Sequence, residues 1–330
     1  MKRPSKLSLA HLPTPVEKLE LLSRQLKKNI YVKRDDLTGF LYTGNKIRKL
    51  EYVLRDAVHK GADTIVTCGG LQSNHVRATV AAAKQLGLQS VAVLRGTRPK
   101  TFDGNTLIVA LLGARIQYVT DEEYDRIDEV YGELDKKLKA RKQKPYFIPE
   151  GASNALGAWG YIEMMEEHAL QQQEMNLQFD SLFVALGSGG TQAGLLLGKY
   201  MTKNPAAIAG INVFKAARGF PAIIESICSE AIETYNISVK FDPSDIIIYN
   251  NYIGLGYAQA TEEELTLYIR IARENGIILD PVYTGKAMRG MIDLLLTHPE
   301  RFGDTILFIH TGGFFGLLPE RERLSHLLNV

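Results

Sequence analysis

Leu182-Phe183-Val184-Ala185-Leu186 runs straight into Gly187-Ser188-Gly189-Gly190-Thr191-Gln192-Ala193-Gly194. The apolar run reads as a buried strand, and the residues from about Thr191 onward read as a helix. Glycines at such a junction let backbone amides point inward. Together with a helix N-terminus they make an anion site, most often for phosphate. The loop is not a nucleotide-triphosphate loop, because the lysine and the hydroxyl residue after the last glycine are missing, and it does not fit the dinucleotide spacing either. On these residues alone it reads equally as a tight strand-to-helix turn with no ligand.

The same kind of run recurs along the chain. Strands are expected at Thr64–Cys68, Ser90–Leu94, Arg115–Val119, Tyr146–Ile148, Gly210–Phe214 and Thr305–His310. Helices are expected at Lys46–His59, where Ile47, Leu50, Val53, Leu54 and Ala57 share a face, and at Asn74–Leu86, Phe102–Leu112, Gln192–Met201, Glu262–Glu274 and Lys286–Leu296. This alternation predicts an α/β fold built of βαβ units with mostly parallel sheet. Ligands in such sheets bind at the carboxyl ends of strands. The glycine-bearing turns at Cys68 to His75, Gly187 to Gly194 and His310 to Gly313 are therefore the expected site walls. With 330 residues the chain is long enough for two cores. The run of strands between Ala62 and Pro149 reads as an insertion, giving a larger domain of 1–49 plus 158–330 and a smaller α/β domain of 50–157.

Apolar residues make up 45% and charged residues 23%, which argues against disorder and fibrous structure. A net charge of +2 leaves no nucleic-acid footprint. The densest basic stretch, Lys136 to Lys144, follows the acidic stretch Asp121 to Glu133, an order that suits the dipole of a solvated helix. Cys68 and Cys228 are the only cysteines and fit neither a disulfide framework nor a zinc spacing, so no metal is expected. No secretory apolar segment or membrane-length run is present, and a cytoplasmic location is the expectation.

Gly44-Asn45-Lys46-Ile47-Arg48-Lys49-Leu50 places lysines at the start of a helix, where the dipole disfavours a cation. An amine with a weakened hold on its proton suits attack on an aldehyde, although two solvated basic residues would read the same way. The wider pattern favours the first reading. Asp35-Asp36-Leu37, Gly44-Asn45-Lys46, Gly69-Gly70-Leu71-Gln72-Ser73-Asn74-His75, Gly187 to Gly194, Asp280-Pro281-Val282-Tyr283-Thr284-Gly285-Lys286 and His310-Thr311-Gly312-Gly313 occur in that order along almost the whole chain. The set resembles the D-cysteine desulfhydrase and 1-aminocyclopropane-1-carboxylate (ACC) deaminase family of fold-type II pyridoxal-phosphate enzymes.

The resemblance implies two open, twisted, mostly parallel sheets flanked by helices, pyridoxal 5'-phosphate as cofactor, a small amino-acid substrate and a homodimer. Lys46 matches the lysine that bonds the cofactor's aldehyde, and Lys49 is the nearby lysine that does not. Gly187, Ser188, Gly189, Gly190 and Thr191 match the phosphate loop. Asn74 matches the residue beside the cofactor's phenolic oxygen, while Ser73, Asn74 and His75 match the turn that receives the substrate carboxylate. Tyr257 and Tyr283 match aromatic residues facing the substrate. Ser73 also reads as the N-cap of its helix, and Tyr257 as a core residue.

Two positions separate the subgroups. ACC deaminases carry Glu after the tyrosine and Leu after the histidine, where this chain has Thr284 and Thr311, as desulfhydrases do. A carboxylate beside the pyridine nitrogen favours its protonation, whereas a threonine hydroxyl does much less. β-Elimination tolerates the weaker electron sink because a departing sulfide drains the charge. The implied reaction converts D-cysteine to pyruvate, hydrogen sulfide and ammonia, with Lys46, or Tyr283 together with Ser73, as the α-proton base. L-cysteate sulfo-lyase and ACC deaminase remain the alternative activities, a sulfonate calling for a cationic pocket to which His75 or Arg77 could contribute. A non-catalytic carrier of the cofactor and a nucleotide-binding regulator are alternatives of a different class.

Overall fold

A computed structural model describes residues 1–214 and 219–328. Among them, β1 (Val16–Lys18), β2 (Asn29–Lys33), β7 (Ser181–Leu186), β8 (Ala207–Asn212), β9 (Ile247–Tyr249) and β10 (Thr305–Ile309) form one sheet in the order β1-β2-β10-β7-β8-β9. It is parallel except for the antiparallel edge pair β1–β2. A second sheet, wholly parallel, has the order β5-β4-β3-β6 and is made of β3 (Thr64–Gly70), β4 (Gln89–Arg95), β5 (Arg115–Val119) and β6 (Pro145–Ile148). The helices are α1 (Glu20–Leu26), α2 (Asn45–His59), α3 (Asn74–Gln85), α4 (Gly104–Leu111), α5 (Asp121–Asp125), α6 (Ile127–Ala140), α7 (Ala155–Glu174), α8 (Gly190–Thr202), α9 (Phe220–Tyr235), α10 (Glu262–Asn275), α11 (Thr284–Thr297), α12 (Phe314–Leu317) and α13 (Arg321–Leu328). None is long and apolar enough to cross a membrane.

Period-two alternation divides the larger sheet's side chains between two cores. Leu182, Val184 and Leu186 of β7 and Leu307 and Ile309 of β10 join α7 and α8 on one face. Phe183, Ala185, Ile306 and Phe308 meet Met288 and Met291 of α11 on the other. Both faces are covered, as parallel sheets require. In the smaller sheet Val66, Cys68, Val91 and Val93 pack on α6, while Ala92 and Leu94 pack with Val76 and Val80 of α3.

Residues 50 and 157 lie inside α2 and α7, so whole helices carry the connection between the sheets. The face of α2 with Ile47, Leu50, Val53, Leu54 and Ala57 joins Ile65, Ile148 and α3. Its other side crosses α7 at Gly160, where a Cβ would lie 2.5 Å from the Arg48 carbonyl group. Strands β1, β2 and β9 and helices α1, α7, α9, α12 and α13 are additions to the expected elements. The strand expected at Gly210–Phe214 begins three residues earlier, because the register of β8 runs from Ser181↔Ala207 to Leu186↔Asn212.

Beneath the start of α2 lies a buried ionic cluster. The Asp35 carboxylate accepts from Arg48 Nη2 and Nε (2.9 and 3.1 Å), Thr14 Oγ1 (2.8 Å) and Tyr161 Oη (2.6 Å). Arg48 also reaches Glu167 at 2.8 Å, and Glu167 pairs with Lys33 of β2. Burial opposes ionisation of Asp35, but Arg48 and Lys33 outweigh it and hold its pKa below the ordinary value.

Replacing Arg48 with Met leaves that carboxylate without its main partner and should cost about 3–5 kcal/mol, measured by urea unfolding near neutral pH. A depressed folded-state pKa contributes stability above the unfolded carboxylate pKa that is lost as pH falls through the folded value. The wild-type contribution therefore disappears in acid, and the gap between wild type and Arg48→Met should narrow as pH falls below about 4.

Candidate active site

The strands of both sheets end on one cleft. It holds a pocket of about 380 Å³ empty volume, walled by Asn45 and Lys46, by Asn74, by Ala185 to Gly189 with Thr191 and Gln192, and by Tyr283 and Thr311.

The loop after β7 is arranged for an anion. Gly189, the residue before α8, has φ +83°, no side chain caps the helix, and its first turn holds no acid. A helix N-terminus of this kind presents amides and a positive dipole end to a phosphate. Ser153 Oγ donates to Ser188 Oγ at 2.9 Å, and Asn45 Nδ2 donates to Thr191 Oγ1 at 2.9 Å. Lys49 stands behind the loop, donating to the Gly151 carbonyl (2.5 Å) and Ser153 Oγ (3.0 Å), and a Cβ at Gly190 would come within 2.6 Å of its Nζ. The amine is fully buried with no carboxylate partner, and burial together with Lys46 pushes its pKa well down. A phosphate in the loop would supply the missing counter-charge. Ser153 is thus a candidate cofactor-holding residue that the sequence did not single out, and Lys49, expected only as the lysine that does not bond the aldehyde, is a candidate for the phosphate.

Lys46 is the second residue of α2 and only 8% exposed. Burial brings its amine down to about 8, against an upward pull from the charge of Glu150. The helix is seated close to β10. Asn45 N donates to the Thr311 carbonyl at 3.2 Å, and a Cβ on Gly312 would lie 2.7 Å from Gly44 Cα. Gly44 and Gly312 both have positive φ, so glycine is required at this crossing for conformation as well as space.

The other expected residues divide. Asn74 lines the pocket, and Asn105 of α4 holds its Oδ1 at 3.0 Å, which leaves the Asn74 amide to meet an acceptor. Tyr283 lies against Gly187 and beside Tyr257; burial raises both phenols, so both are neutral donors. The Tyr257 ring packs on Gly70, and its hydroxyl is buried without a hydrogen-bond partner. Ser73 Oγ caps α3 by accepting from Val76 N at 3.2 Å.

Three residues depart from expectation. His75 is buried away from the pocket wall, with Nε2 at 2.7 Å from Thr67 Oγ1, and burial followed by the charges of Lys46 and Lys49 keeps it neutral. Arg77 does not line the pocket: it donates to the Leu41 and Thr43 carbonyls at 3.0 and 2.9 Å and braces the segment leading to Lys46. Thr284 does not face the pocket, because its hydroxyl donates to Asp280 Oδ1 at 2.6 Å. Asp280 also accepts from the amides of Val282, Tyr283 and Thr284, a turn that sets the start of α11. Of the two threonines, Thr311 lines the pocket.

An anion cradle, a buried amine of lowered pKa and neutral hydrogen-bonding side chains between them fit a phosphorylated aldehyde. Residues 7–312 match the family model described as pyridoxal-phosphate dependent enzyme. The chain belongs to this family.

The enzyme is 44% identical over 322 residues to a Thermotoga maritima protein named "Putative 1-aminocyclopropane-1-carboxylate deaminase", covering 97% of this chain and 99% of the relative. It is 41% identical over 314 residues to the D-cysteine desulfhydrase of Yersinia enterocolitica, covering 93% of each. The crystal structure of an ACC deaminase homologue superposes with a TM-score of 0.90 at 37% identity, over 98% of this chain and 97% of the other. The enzyme therefore has the fold and cofactor of that family, pyridoxal phosphate.

Borohydride reduction and peptide mapping should place the pyridoxyl group on Lys46, while Lys49→Ala should keep the coloured linkage but bind the cofactor more weakly. Uptake of pyridoxal phosphate by the cofactor-free protein, followed by absorbance, should rise with pH through about 8 as Lys46 loses its proton. Gly189→Val should weaken retention about tenfold, since a left-handed backbone costs a residue with a side chain ~1–3 kcal/mol.

Proposed function

We propose that this enzyme removes the β-substituent of a small amino acid, with D-cysteine as substrate and pyruvate, hydrogen sulfide and ammonia as products. The observation that carries the reading is the neutral pocket wall at Thr311. The residue after Tyr283, which the resemblance marks as Glu in ACC deaminases, is a threonine whose hydroxyl is spent on Asp280. No carboxylate is offered from either position. The name of the Yersinia relative supports the same activity.

The chemistry the cofactor supplies is delocalisation of the electron pair released from the substrate's α-carbon. The residues of the chain do the rest. The amides of Gly187 to Thr191, the Ser188 and Thr191 hydroxyls and Lys49 would hold the phosphate. The N-terminus of α3, from Ser73 through His75, takes the substrate carboxylate with backbone amides, so the His75 side chain is not needed there. Lys46 would hold the cofactor's aldehyde at the place that the substrate's amine must also reach. Its lowered pKa suits it to take the α-proton near neutral pH, with Tyr283 as the neutral donor opposite.

ACC deamination is the second reading, favoured by the name of the Thermotoga relative. Steady-state rates on D-cysteine, L-cysteine, L-cysteate and β-chloro-D-alanine, assayed as pyruvate, and on ACC, assayed as 2-oxobutyrate, separate the two. D-Cysteine should far outpace ACC. A clear preference for ACC overturns the reading, and bound cofactor with no turnover on any of them leaves a carrier.

A further inference from the structure

Asn74 lines the pocket with a side chain that has two unlike ends, and only one of them can donate to an electron-rich group. Which end is free for the pocket is fixed outside it. The carbonyl end, Oδ1, accepts from Asn105 Nδ2 at 3.0 Å, while the amide end, Nδ2, has no partner among the described residues. Both side chains are buried, Asn105 with no exposure at all.

The orientation of Asn105 is fixed in turn by a backbone group. Its Nδ2 also donates to the Gln72 carbonyl at 3.0 Å. A carbonyl oxygen can only accept, so Asn105 must present its amide end on that side, and the same amide end is the one that reaches Asn74. The turn carrying this carbonyl is itself stitched to the start of α4. Asn105 N donates to Gln72 Oε1 at 2.9 Å, Gln72 Nε2 to the Asp103 carbonyl at 3.2 Å, and the Thr106 hydroxyl to the Leu71 carbonyl. The chain from the Gln72 carbonyl through Asn105 to Asn74 therefore has one direction and ends at the pocket with a donor.

This arrangement costs stability. Asn105 Oδ1 is buried without a partner among the described residues, and an acceptor left so is unfavourable. Cohesion does not call for it, because the Asn105 backbone amide and the Thr106 hydroxyl already hold turn and helix together. What the side chain adds is its grip on Asn74.

We infer that Asn105 is a positioning residue that fixes the polarity of the Asn74 amide, so that the pocket offers a neutral donor, and not a carbonyl oxygen, to the phenolic oxygen of the cofactor. A donor there favours that oxygen as the anion and weakens its hold on the proton of the adjoining linkage expected at Lys46. The coloured linkage then loses its proton at a lower pH than it would beside a carbonyl. The inference rests on the placement of Asn74 beside the phenolic oxygen and not on the choice of substrate.

The test is the pH midpoint of the colour change of the cofactor-loaded protein, read by absorbance with no substrate present. Asn105→Leu, neutral and of similar size, should raise the midpoint, because Asn74 is no longer held. Asn105→Asp presents only acceptors to Asn74, reverses its amide and should raise the midpoint further, by roughly one pH unit, the effect of a hydrogen bond to a charged group. Part of that rise is the new carboxylate acting through space, so both changes are repeated on Asn74→Ala. There the Leu change should have no effect and the Asp change a smaller one. Uptake of pyridoxal phosphate by the cofactor-free proteins should weaken in the same order, from wild type through Leu to Asp. If Asn74→Ala alone leaves the midpoint in place, the placement of Asn74 fails and the inference with it. If Asn74→Ala moves the midpoint but neither change at 105 does, or if the Asp shift is as large without the Asn74 amide, the role of Asn105 is overturned and the placement of Asn74 stands. Should the Asp variant not fold, the Leu variant with and without Asn74→Ala decides alone.

Discussion

Asp35 has no contact with solvent, and both of its oxygens are occupied by Arg48, Thr14 and Tyr161. Such a pair contributes little net stability against a well-packed apolar alternative, but once buried it cannot be moved without exposing an uncompensated charge. Arg48 lies two residues beyond Lys46 on α2, so fixing its guanidinium fixes the rotation of the helix about its axis. With that rotation set, Ile47 and Leu50 point to the smaller sheet, Lys49 to the glycine loop and Lys46 to the cleft. A helix free to turn would place none of these reliably, and Lys46 would not be dry enough for burial to lower its pKa.

The sheets divide the work. Ends of the larger sheet's strands supply the anion cradle and Thr311, while the end of β3 supplies Asn74 at the start of α3. Braces join the halves. Arg77 of α3 does so by gripping the carbonyls of Leu41 and Thr43 just before α2, and within the smaller half Asn105 of α4 holds both Asn74 Oδ1 and the Gln72 carbonyl. None of these braces touches the pocket, yet they orient the groups that do.

Much of this was legible in the sequence because its signals are local. The strand at Leu182–Leu186 and the glycines after it announce themselves, as does the apolar face of α2. Helix α7 was not legible, although it lies at the centre of the larger core. Trp159, Tyr161, Ile162, Met164 and Met165 are all buried, residues 155–162 offer no polar face, and Gly157 and Gly160 read as breakers rather than as sites of close helix contact. Strand β2 was hidden by Lys33, which looks solvated in a sequence but is buried against Glu167. Thr284 shows a different limit. Its place in the motif says where it sits along the chain, but its direction is set by Asp280 four residues earlier, and an aspartate bonding the next amides is a turn device that its spacing does permit one to read. Lys49 looks in the sequence like the second of two lysines, since only tertiary burial shows it standing behind the glycine loop.

The pairing of β2 with β10, in which Asn29 stands opposite Thr305, and the crossing of Gly44 with Gly312 join the two ends of the chain. Contacts so distant in sequence are the last to form. During synthesis the glycine loop and most helices can emerge and fold while β2 still lacks its parallel neighbour. The seat that dries Lys46 comes into being only once β10 and Gly312 have left the ribosome. Capture of the cofactor therefore waits for β10, and a chain stopped short of that strand would carry the glycine loop with nowhere to bury the amine.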